Sequence, residues 1–432
     1  MKSADQSGLI YAYYGDDFTG STDVLEALAL HGVPAVLFLR PPDKSALKTF
    51  SQCRAIGIAG ESRSRTPQWM DENLASIFAA MRALGAPINH YKVCSTFDSS
   101  PRIGSIGRAM ELGMRAFGAR FVPVVVGAPR LGRTVVYGNL FAAAQGTMYR
   151  IDRHPSMRHH PTTPMSEADL RLHLQKQTRI KIGLVDLASF QAGKADEKFL
   201  SELRSGAKAV VFDGIDDAML EETAGLVCNQ ADNGRVFAVG SSGFTSAMLL
   251  HWRRLGLIPK PPHLRPPPAV DRLVVLSGSC SPVTAQQIRS ARQQGFELLH
   301  LHGSPPWRKE TQKALDALSR GKSVVLYTAL GPKSAGGQKK FGAAYGAALG
   351  AMLRELLTVS EVRRVLIAGG DTSSRVVKQL DLTALTFAAP LAPGAPLCRA
   401  HAPGSPLDGL ELVLKGGQVG PDDFFAQVRD GQ

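Results

Sequence analysis

The sequence is poor in cysteine and lacks the spacings on which cysteine-based sites depend. Its five cysteines are scattered, with no Cys-x-x-Cys pair, at Cys53, Cys94, Cys228, Cys280 and Cys398. This usage argues against a disulfide framework and against a structural zinc site. It is typical of reduced thiols, so we predict a cytoplasmic protein.

Long apolar runs and dense basic tracts are also missing. No run reaches the ~18 apolar residues of a membrane-spanning helix, and the first residues lack the apolar core of a signal peptide, so no membrane partner is expected. Lys and Arg outnumber Asp and Glu by 50 to 37, a net charge of +13. The positive charge is spread along the chain, without zinc-finger spacing or an RNA-binding aromatic motif. It therefore favours small phosphates or carboxylates, and not nucleic acid, as ligands.

The segment PKPPHLRPPPAV, residues 259–270, is the clearest boundary in the chain. Six of its twelve residues are proline, which favours an extended linker with few backbone hydrogen bonds. It separates residues 1–258 from residues 271–432, and both parts have the size of a domain. Apolar strand-like runs alternate with helical patterns in each part. The alternation predicts an α/β protein of two α/β domains with mostly parallel sheets.

Three segments of the second part share one plan, an apolar strand, a loop of small residues and then a helix. The loops carry Ser277, Ser279, Ser281, Gly369, Gly370, Asp371, Thr372, Gly416 and Gly417. Ligands of parallel sheets bind at the carboxyl ends of strands, where helix N-termini attract phosphate and glycine permits close approach. We therefore predict a nucleotide site there, with Ser281 capping a helix that begins at Pro282. No Walker A or clean GxGxxG fingerprint is present.

The first part has a pair of acids directly after its first strand. In YYGDDFTGSTD, Asp16 and Asp17 follow the strand where sheet ligands bind. Such carboxylates serve as a base, hold Mg²⁺ or accept hydrogen bonds from sugar hydroxyls. The alternative is a solvated pair next to a helix capped by Thr19 or Ser21. We favour the functional interpretation because of the position at the strand end.

A second cluster of polar residues lies in YKVCSTFDSSPRIG. It contains Lys92, Ser95, Thr96 and Asp98. A cation, an acid and several hydroxyls in one loop suit a polyhydroxy carboxylate as ligand. The alternative for Lys92 is a solvated position on a strand, which is the more usual place for a lysine.

Two basic loops complete the candidates of the first part. In GESRSRTP, Arg63 and Arg65 could together hold a carboxylate, or they could simply be exposed. In RHPSMRHHPTTPM, His154, His159 and His160 match no usual zinc spacing. For these histidines we favour a loop or lid next to the substrate over metal binding, and the metal ligands of the chain stay unknown.

Seven segments, in this order, resemble the four-carbon acid sugar kinases over about residues 10 to 427. They are GDDFTGSTD, KVCSTFDSSP, GRTVVYGNLF, RHHPTTPMSEADL, SGSCSPVTAQQI, AGGDTSSRVV and LKGGQVG. The resemblance implies two α/β domains with the active site in the cleft between them. The first domain would bind the sugar acid and the second would bind ATP. It implies a kinase that phosphorylates a terminal hydroxyl of 3-oxo-tetronate, threonate or erythronate, with ATP and Mg²⁺ as cofactors.

The resemblance also assigns residues to roles. The nucleotide would contact the Ser279–Ser281 loop, Gly369 to Thr372, Gly416 and Gly417, and the sugar acid would meet Asp16, Asp17, the Arg63 loop, Lys92 and Asp98. Among the acids, Asp16, Asp17 and Asp98 are the catalytic candidates. A homodimer is left open.

Departures from the family pattern bear on the substrate. Gly15 stands where alanine is common, Asp371 where glutamate is frequent, and Gly416 where serine is usual. A branch resembling 3-oxo-isoapionate kinases, which act on a branched five-carbon acid, therefore stays open. The rival classes are an NAD-linked sugar-acid dehydrogenase, for which no dinucleotide fingerprint is present, and a sugar-acid-binding regulator.

Overall fold

The structure, a computed structural model, describes residues 8–144, 146–160, 162–231, 234–331 and 343–432. The chain forms two compact units, divided in the proline-rich segment. Unit 1 comprises Met1–Asp16, Ala27–Ala35 and Pro41–Pro262, and unit 2 comprises Asp17–Glu26, Val36–Arg40 and His263–Gln432. The sequence-based division places residues 17–26 and 36–40 in the first domain, whereas the structure places them in unit 2.

Unit 1 contains a seven-stranded parallel sheet in the order β3-β1-β4-β11-β5-β10-β9. Numbered along the chain, its strands are β1 (Tyr11–Gly15), β3 (Ala55–Ala59), β4 (Ile88–Lys92), β5 (Val122–Val125), β9 (Ile182–Val185), β10 (Ala209–Phe212) and β11 (Val236–Gly240). These strands are short and buried along their whole length, and all except β4 (INHYK) are mainly apolar. Burial on both faces is the pattern of a parallel sheet covered by helices.

The helices of unit 1 supply that cover. They are α3 (Pro67–Ala83), α4 (Ile106–Phe117), α5 (Leu170–Gln175), α6 (Leu187–Gln191), α7 (Ala195–Arg204), α8 (Asp217–Asn229) and α9 (Ser242–Arg254), whereas α2 (Lys44–Thr49) has no buried residue. Helix α3 shows the local logic. Thr66 accepts a hydrogen bond from the Trp69 amide at its start, and its buried residues recur at helical spacing as Met70, Leu74, Phe78 and Met81.

A small antiparallel sheet of three strands also belongs to unit 1. It consists of β6 (Arg133–Val136), β7 (Asn139–Ala144) and β8 (Thr147–Arg150). The turn between β6 and β7 has positive φ at Tyr137 (49°) and Gly138 (78°), as a two-residue hairpin turn requires. Asp213, after β10, accepts hydrogen bonds from both turn amides, at 2.5 Å and 2.8 Å. The carboxylate therefore anchors the hairpin to the main sheet.

Unit 2 contains an eight-stranded sheet in the order β13-β14-β12-β15-β18-β17-β16-β2. Its strands are β2 (Ala35–Phe38), β12 (Val274–Ser277), β13 (Glu297–His300), β14 (Val324–Tyr327), β15 (Arg364–Ala368), β16 (Ala384–Ala392), β17 (Ala395–His401) and β18 (Glu411–Lys415). The first five strands in that order are parallel, and the last three pair antiparallel. The prediction of an α/β protein with mostly parallel sheets is confirmed.

The helices associated with this sheet begin at the carboxyl ends of its parallel strands or cover its faces. They are α10 (Pro282–Gln293), α11 (Arg308–Ser319), α12 (Ala343–Ser360), α13 (Gly370–Val377) and α14 (Phe424–Asp430). Helix α1 (Phe18–Leu30) begins in a segment of unit 2 and continues into a segment of unit 1. No helix in the described part of the chain has the length and apolarity needed to cross a membrane.

We expect a fragment of residues 263–432 to aggregate or to melt at a lower temperature than the full chain. Without β2, the edge of β16 loses the pairing of Ala384 with Phe38 and of Leu385 with Leu37. The Gly394 amide also loses its hydrogen bond to the Glu26 carboxylate, at 2.7 Å. An unpaired strand edge favours association with other chains. Size-exclusion chromatography and thermal unfolding test this, and a monodisperse fragment with the melting temperature of the full chain would contradict it.

Candidate functional site

The three loops predicted from the sequence meet in unit 2. They follow β12, β15 and β18, which are neighbouring parallel strands. The Gly369 amide donates to the Lys415 carbonyl at 2.9 Å, and the Gly278 amide donates to the Ala368 carbonyl at 3.1 Å. A Cβ atom on Gly278 would lie 2.1 Å from Thr372 Oγ1. Only glycine permits so close an approach, and the three loops are therefore held together at one end of the sheet.

The loops after β12 and β18 also contact each other. A Cβ atom on Gly417 would lie 2.8 Å from Ser279 Oγ, and the Thr284 hydroxyl donates to the Gly417 carbonyl at 2.9 Å. Ser281 accepts a hydrogen bond from the Val283 amide, so the predicted cap of α10 is confirmed. Ser277 is fully buried, and its hydroxyl has no partner among the described residues. The loop residues thus place hydroxyls, amides and two helix N-termini side by side, an arrangement that suits an anion.

Helix α13 begins directly at the glycine pair. Gly369 has φ of 111°, a conformation that side chains of other residues rarely permit, and it precedes the helix without a side-chain cap. Asp371, in the first turn, is exposed, and Thr372 is partly buried. Gly416 is partly buried after β18. Because Gly369 has no side chain, it cannot cap the backbone amides of this first turn.

Lys415 is the residue of this site that our sequence analysis did not include. It ends β18 with a fully buried side chain, and its Nζ lies 3.1 Å from Thr284 Oγ1. Burial lowers the pKa of the Lys415 ammonium to about 7. The sequence signal was a lysine at the end of an otherwise apolar strand in LVLKGG. A buried lysine without a carboxylate partner, in the part of the chain that the structure describes, is a candidate for pairing with a bound anion.

Asp17 lies next to the glycine pair, within unit 2. Its Oδ1 accepts the Gly20 amide at 2.6 Å, and its Oδ2 accepts the Thr19 hydroxyl at 3.3 Å. A Cβ atom on Gly370 would lie 3.0 Å from Asp17 Oδ2. The alternative, in which Thr19 or Ser21 caps the helix, is wrong. Both residues lie inside α1, and Asp17 itself caps the helix. The acid therefore has a structural role and also faces the first turn of α13.

The Asp98 cluster forms a second polar site, in unit 1. Arg63 Nη2 donates to both carboxylate oxygens of Asp98, at 2.9 Å and 2.8 Å. The Thr96 hydroxyl donates at 2.6 Å, and the Thr163 hydroxyl donates at 3.0 Å. Burial alone would raise the pKa of the Asp98 carboxyl, but Arg63, His160 and Thr96 outweigh it and hold that pKa well below its usual range. Asp98 is therefore a firmly ionised carboxylate.

The histidine loop reaches this cluster. His160 Nδ1 lies 3.0 Å from the hydroxyl of Thr163, which in turn contacts Asp98. Thr163 is a second residue that our sequence analysis did not include among the candidates. His154 accepts the amides of Ser156 and Met157 at 3.2 Å, as a loop-shaping residue does. The described residues contain no group of three or more His, Cys, Asp or Glu side chains placed to hold a metal.

Asp16 directly follows β1, Lys92 ends the neighbouring strand β4, and both residues are buried. The Asp16 amide donates to the Lys92 carbonyl at 2.9 Å, and the Arg63 amide donates to the Asp16 carbonyl at 3.1 Å. The alternative of a solvated Lys92 is therefore wrong. Arg65 does not join Arg63 in holding Asp98, because it pairs with Glu61 at 2.7 Å.

Ser95 lies partly buried in the turn between β4 and Asp98. The candidates of unit 1 thus form one neighbourhood around the ends of β1 and β4.

The two halves of the chain match two families of domains. Residues 11–248 match a family described as a sugar-binding N-terminal domain, and residues 274–425 match one described as a nucleotide-binding C-terminal domain. A 3-oxo-isoapionate kinase of Paraburkholderia graminis is 45% identical over 99% of this chain and 95% of its own length. The chain belongs to the four-carbon acid sugar kinase family.

Other members of this kinase family show the same correspondence. A 3-oxo-tetronate kinase of Cupriavidus necator is 32% identical over 96% of this chain and 95% of that protein. A crystal structure of a Haemophilus influenzae protein is 26% identical, covers 97% of this chain and 99% of that chain, and gives a TM-score of 0.69. Within the family, the sugar-binding description covers the Asp98 cluster, and the nucleotide-binding description covers the three loops and Lys415.

Proposed function

We propose that this protein is an ATP-dependent kinase that transfers the terminal phosphate of ATP to a hydroxyl of a small sugar acid. The observation that carries the proposal is the meeting of three glycine- and serine-containing loops next to the buried Lys415. Helix N-termini and backbone amides bind phosphate, and a lysine adds the positive charge that phosphates require. The match of this region to a nucleotide-binding domain supports the same assignment.

Mg²⁺ fits this site through Asp17. Proteins usually hold Mg²⁺ with one or two carboxylates and leave the other positions to water and substrate phosphates. A single carboxylate next to the glycine pair matches that donor set, and Asp371 in the same turn could be a second. When bound, the ion would neutralise charge on the phosphates. This role does not require a site in which protein side chains supply all the ligands of the ion.

In our proposal, Asp98, Thr96, Ser95 and Lys92 hold the sugar acid, and Arg63 orients Asp98. The Asp98 carboxylate is fixed by Arg63 and Thr96, so its oxygens are oriented before a ligand arrives. A firmly ionised carboxylate is a weak base, which favours Asp98 as an acceptor for substrate hydroxyls.

Asp17 is then our candidate for the group that orients or deprotonates the attacking hydroxyl. Phosphoryl transfer depends mainly on positioning and charge stabilisation. Assistance to the attacking hydroxyl by a general base nevertheless contributes substantially to the rate. Asp16 is its alternative. The two acids are consecutive in the chain, and the division between the units falls between them.

For the substrate we propose 3-oxo-isoapionate, a branched five-carbon acid, ahead of 3-oxo-tetronate. The 45% identity to a 3-oxo-isoapionate kinase, against 32% to a 3-oxo-tetronate kinase, supports this order. A coupled ADP-release assay with 3-oxo-isoapionate, 3-oxo-tetronate, threonate and erythronate tests it. We expect the highest kcat/KM with 3-oxo-isoapionate. A preference for 3-oxo-tetronate would move the protein to the other branch.

Binding measurements on the same protein sample distinguish a kinase from a dehydrogenase and from a regulator. Calorimetric titration should show binding of ATP and no binding of NAD or duplex DNA. Binding of NAD in place of ATP would support a dehydrogenase, and tight binding of DNA would support a regulator. Either result, together with no ADP release, would refute the kinase.

Asp98→Asn should raise the KM for the sugar acid more than it lowers kcat. Asparagine keeps the shape of the side chain but removes the charge that pairs with Arg63, and a charged hydrogen bond contributes about 1.5–3 kcal/mol. We therefore expect KM to rise by about tenfold or more, with ATP KM unchanged. Asp152→Asn is the matched control, since Asp152 pairs with Arg150 at 2.6 Å in the same unit. A fall in kcat at constant sugar-acid KM would instead make Asp98 the base.

A further inference from the structure

Arg133 is a partly buried cation in unit 1 that no acid neutralises among the residues the structure describes. Its guanidinium donates to the carbonyl of Leu131, and its Nε is buried without a hydrogen-bond partner. Burial lowers the pKa of Arg133, and the nearby Cys94 sulfur opposes part of that effect. Arginine stays protonated in proteins, so it cannot escape the cost of burial by losing its charge. A partly buried cation without an acidic partner among the described residues is a candidate for binding an anion.

The surroundings of Arg133 connect it to the Asp98 cluster. Cys94 belongs to the loop that runs from Lys92 to Asp98, and the Thr96 hydroxyl contacts both Cys94 Sγ, at 2.9 Å, and Asp98, at 2.6 Å. The charge of Arg133 also affects the histidine loop. Burial and the charge of Arg133 together lower the pKa of His154. Arg133 is thus a neighbour of Cys94, in the loop that leads to Asp98, and of His154, in the histidine loop.

The backbone that carries Arg133 is fixed. Arg133 begins β6, and its amide and carbonyl pair with Ala128, at 3.2 Å and 2.9 Å. The far end of the same hairpin is anchored by Asp213 at the Tyr137 and Gly138 amides. A binding group on a rigid element loses little entropy when its ligand arrives.

Two arginines of the neighbouring loop, Arg63 and Arg65, are already engaged. Arg63 uses Nη2 to hold both oxygens of Asp98, and Arg65 pairs with Glu61. A sugar acid brings one carboxylate, and a guanidinium is the group that binds a carboxylate with two parallel hydrogen bonds. We propose that Arg133 binds the carboxylate of the sugar acid and so selects acids over neutral sugars. This inference rests on the proposed function.

The test uses three variants of the full chain, Arg133→Met, Arg133→Lys and Arg150→Met. Arg150 is the matched control, because it lies on β8 of the same small sheet and is paired with Asp152. For each variant, kcat and KM are measured with ATP and with two acceptors, the preferred sugar acid and its neutral primary amide. Calorimetric titration of the acid and the amide without ATP measures the same contact independently of turnover.

The wild-type chain should prefer the acid to the amide. Loss of a charged hydrogen-bonding partner costs about 1.5–3 kcal/mol, so Arg133→Met should raise the acid KM by roughly 10- to 100-fold. Its ATP KM and its KM for the amide should stay unchanged, and the preference for the acid should disappear. Arg133→Lys should restore part of that preference, and Arg150→Met should behave as wild type.

Two results would overturn the assignment. One is an unchanged acid KM and acid affinity in Arg133→Met, and the other is an equal loss for acid and amide, which would indicate only a structural role. If Arg133→Met does not fold, as judged by circular dichroism, the same comparison in Arg133→Lys decides the question. A wild-type chain that binds the acid but transfers no phosphate would refute the kinase and leave the role of Arg133 to the titration.

Discussion

Asp17→Asn should lower kcat by roughly 10²- to 10⁴-fold, the range that general-base assistance typically contributes. The carboxylate lies against the first turn of α13, where a Cβ atom on Gly370 would come within 3.0 Å of Oδ2. Asparagine is neutral, and it can neither accept the proton of the attacking hydroxyl nor support a metal ion as a carboxylate does. The KM for ATP should stay near wild type, because the amides and hydroxyls of the three loops are unchanged.

The substitution preserves the structural role of the residue. The amide oxygen of asparagine can still accept the Gly20 amide, and asparagine is as good an N-cap as aspartate. Asp43→Asn is the matched control, since Asp43 caps the exposed helix α2 through the Ala46 amide. Circular dichroism and the melting temperature should therefore be unchanged in both variants.

Asp16→Asn should have a smaller effect on kcat than Asp17→Asn. Asp16 follows a strand of unit 1, whereas Asp17 faces the glycine pair of unit 2, so the two acids have different surroundings. Assays at increasing Mg²⁺ distinguish the two roles of Asp17, because a lost metal ligand is partly compensated by more metal and a lost base is not. Wild-type turnover in both variants would exclude Asp16 and Asp17 as the general base and would assign that role to Asp98 or to another residue.

Lys415→Met should raise the Kd and KM for ATP by roughly 10- to 100-fold, since a hydrogen bond to a charged group contributes about 1.5–3 kcal/mol. Methionine fills the same buried space without the charge, so the packing of β18 against the other strands should survive. Lys322→Met is the matched control, because that lysine is half exposed in unit 2 and pairs with Glu297 at 3.4 Å. ATP titration of both variants measures the difference. Equal ATP affinity in Lys415→Met and the wild type would exclude Lys415 from the phosphate site.

Lys415 should also make ATP binding depend on pH. Burial lowers its pKa to about 7 in the free protein, and a bound phosphate would stabilise the ammonium and raise that pKa. ATP should therefore bind best below pH 7 and progressively more weakly as the pH rises above it. Lys415→Met should lack this decline, and it thereby corrects for the ionisation of ATP itself. Parallel pH profiles in the two proteins would contradict the assignment.

The lowered pKa of Lys415 also makes the folding stability of the ligand-free protein depend on pH. The folded-state pKa lies below the usual value of 10.5, so the unfolded chain binds the additional proton between about pH 7 and that value. The contribution of Lys415 to stability is therefore least favourable below pH 7 and improves as the pH rises through this window. Lys415→Arg should keep the charge at all pH values and should lose the improvement.

The features that local sequence patterns specify could be predicted. Alternating apolar runs and helical patterns predicted the α/β architecture, and the serine–proline pair predicted the cap and first residue of α10. The three loops were recognisable because strand, small residues and helix follow one another in each. Their meeting in one place follows from the parallel order of β12, β15 and β18.

Features that depend on distant parts of the chain could not be predicted. The start of α1 and most of β2 belong to unit 2, because β2 pairs with β16, more than 300 residues later. The usual behaviour of lysine left a solvated position open as the alternative for Lys92, but this residue ends a strand that is buried on both faces. Lys415 and Arg133 are single charged residues in apolar or alternating runs. That neither has an acidic partner among the described residues is visible only when their neighbours are known.

Phosphorus NMR of the reaction tests the central claim most directly. The wild-type chain is incubated with ATP, Mg²⁺ and 3-oxo-isoapionate, with 3-oxo-tetronate in a parallel sample. We expect a new phosphomonoester resonance, coupled to the protons of a CH₂–O group, to grow in step with ADP. ADP accompanied only by inorganic phosphate, or no change with either acid, would contradict the proposal that this protein is a sugar-acid kinase.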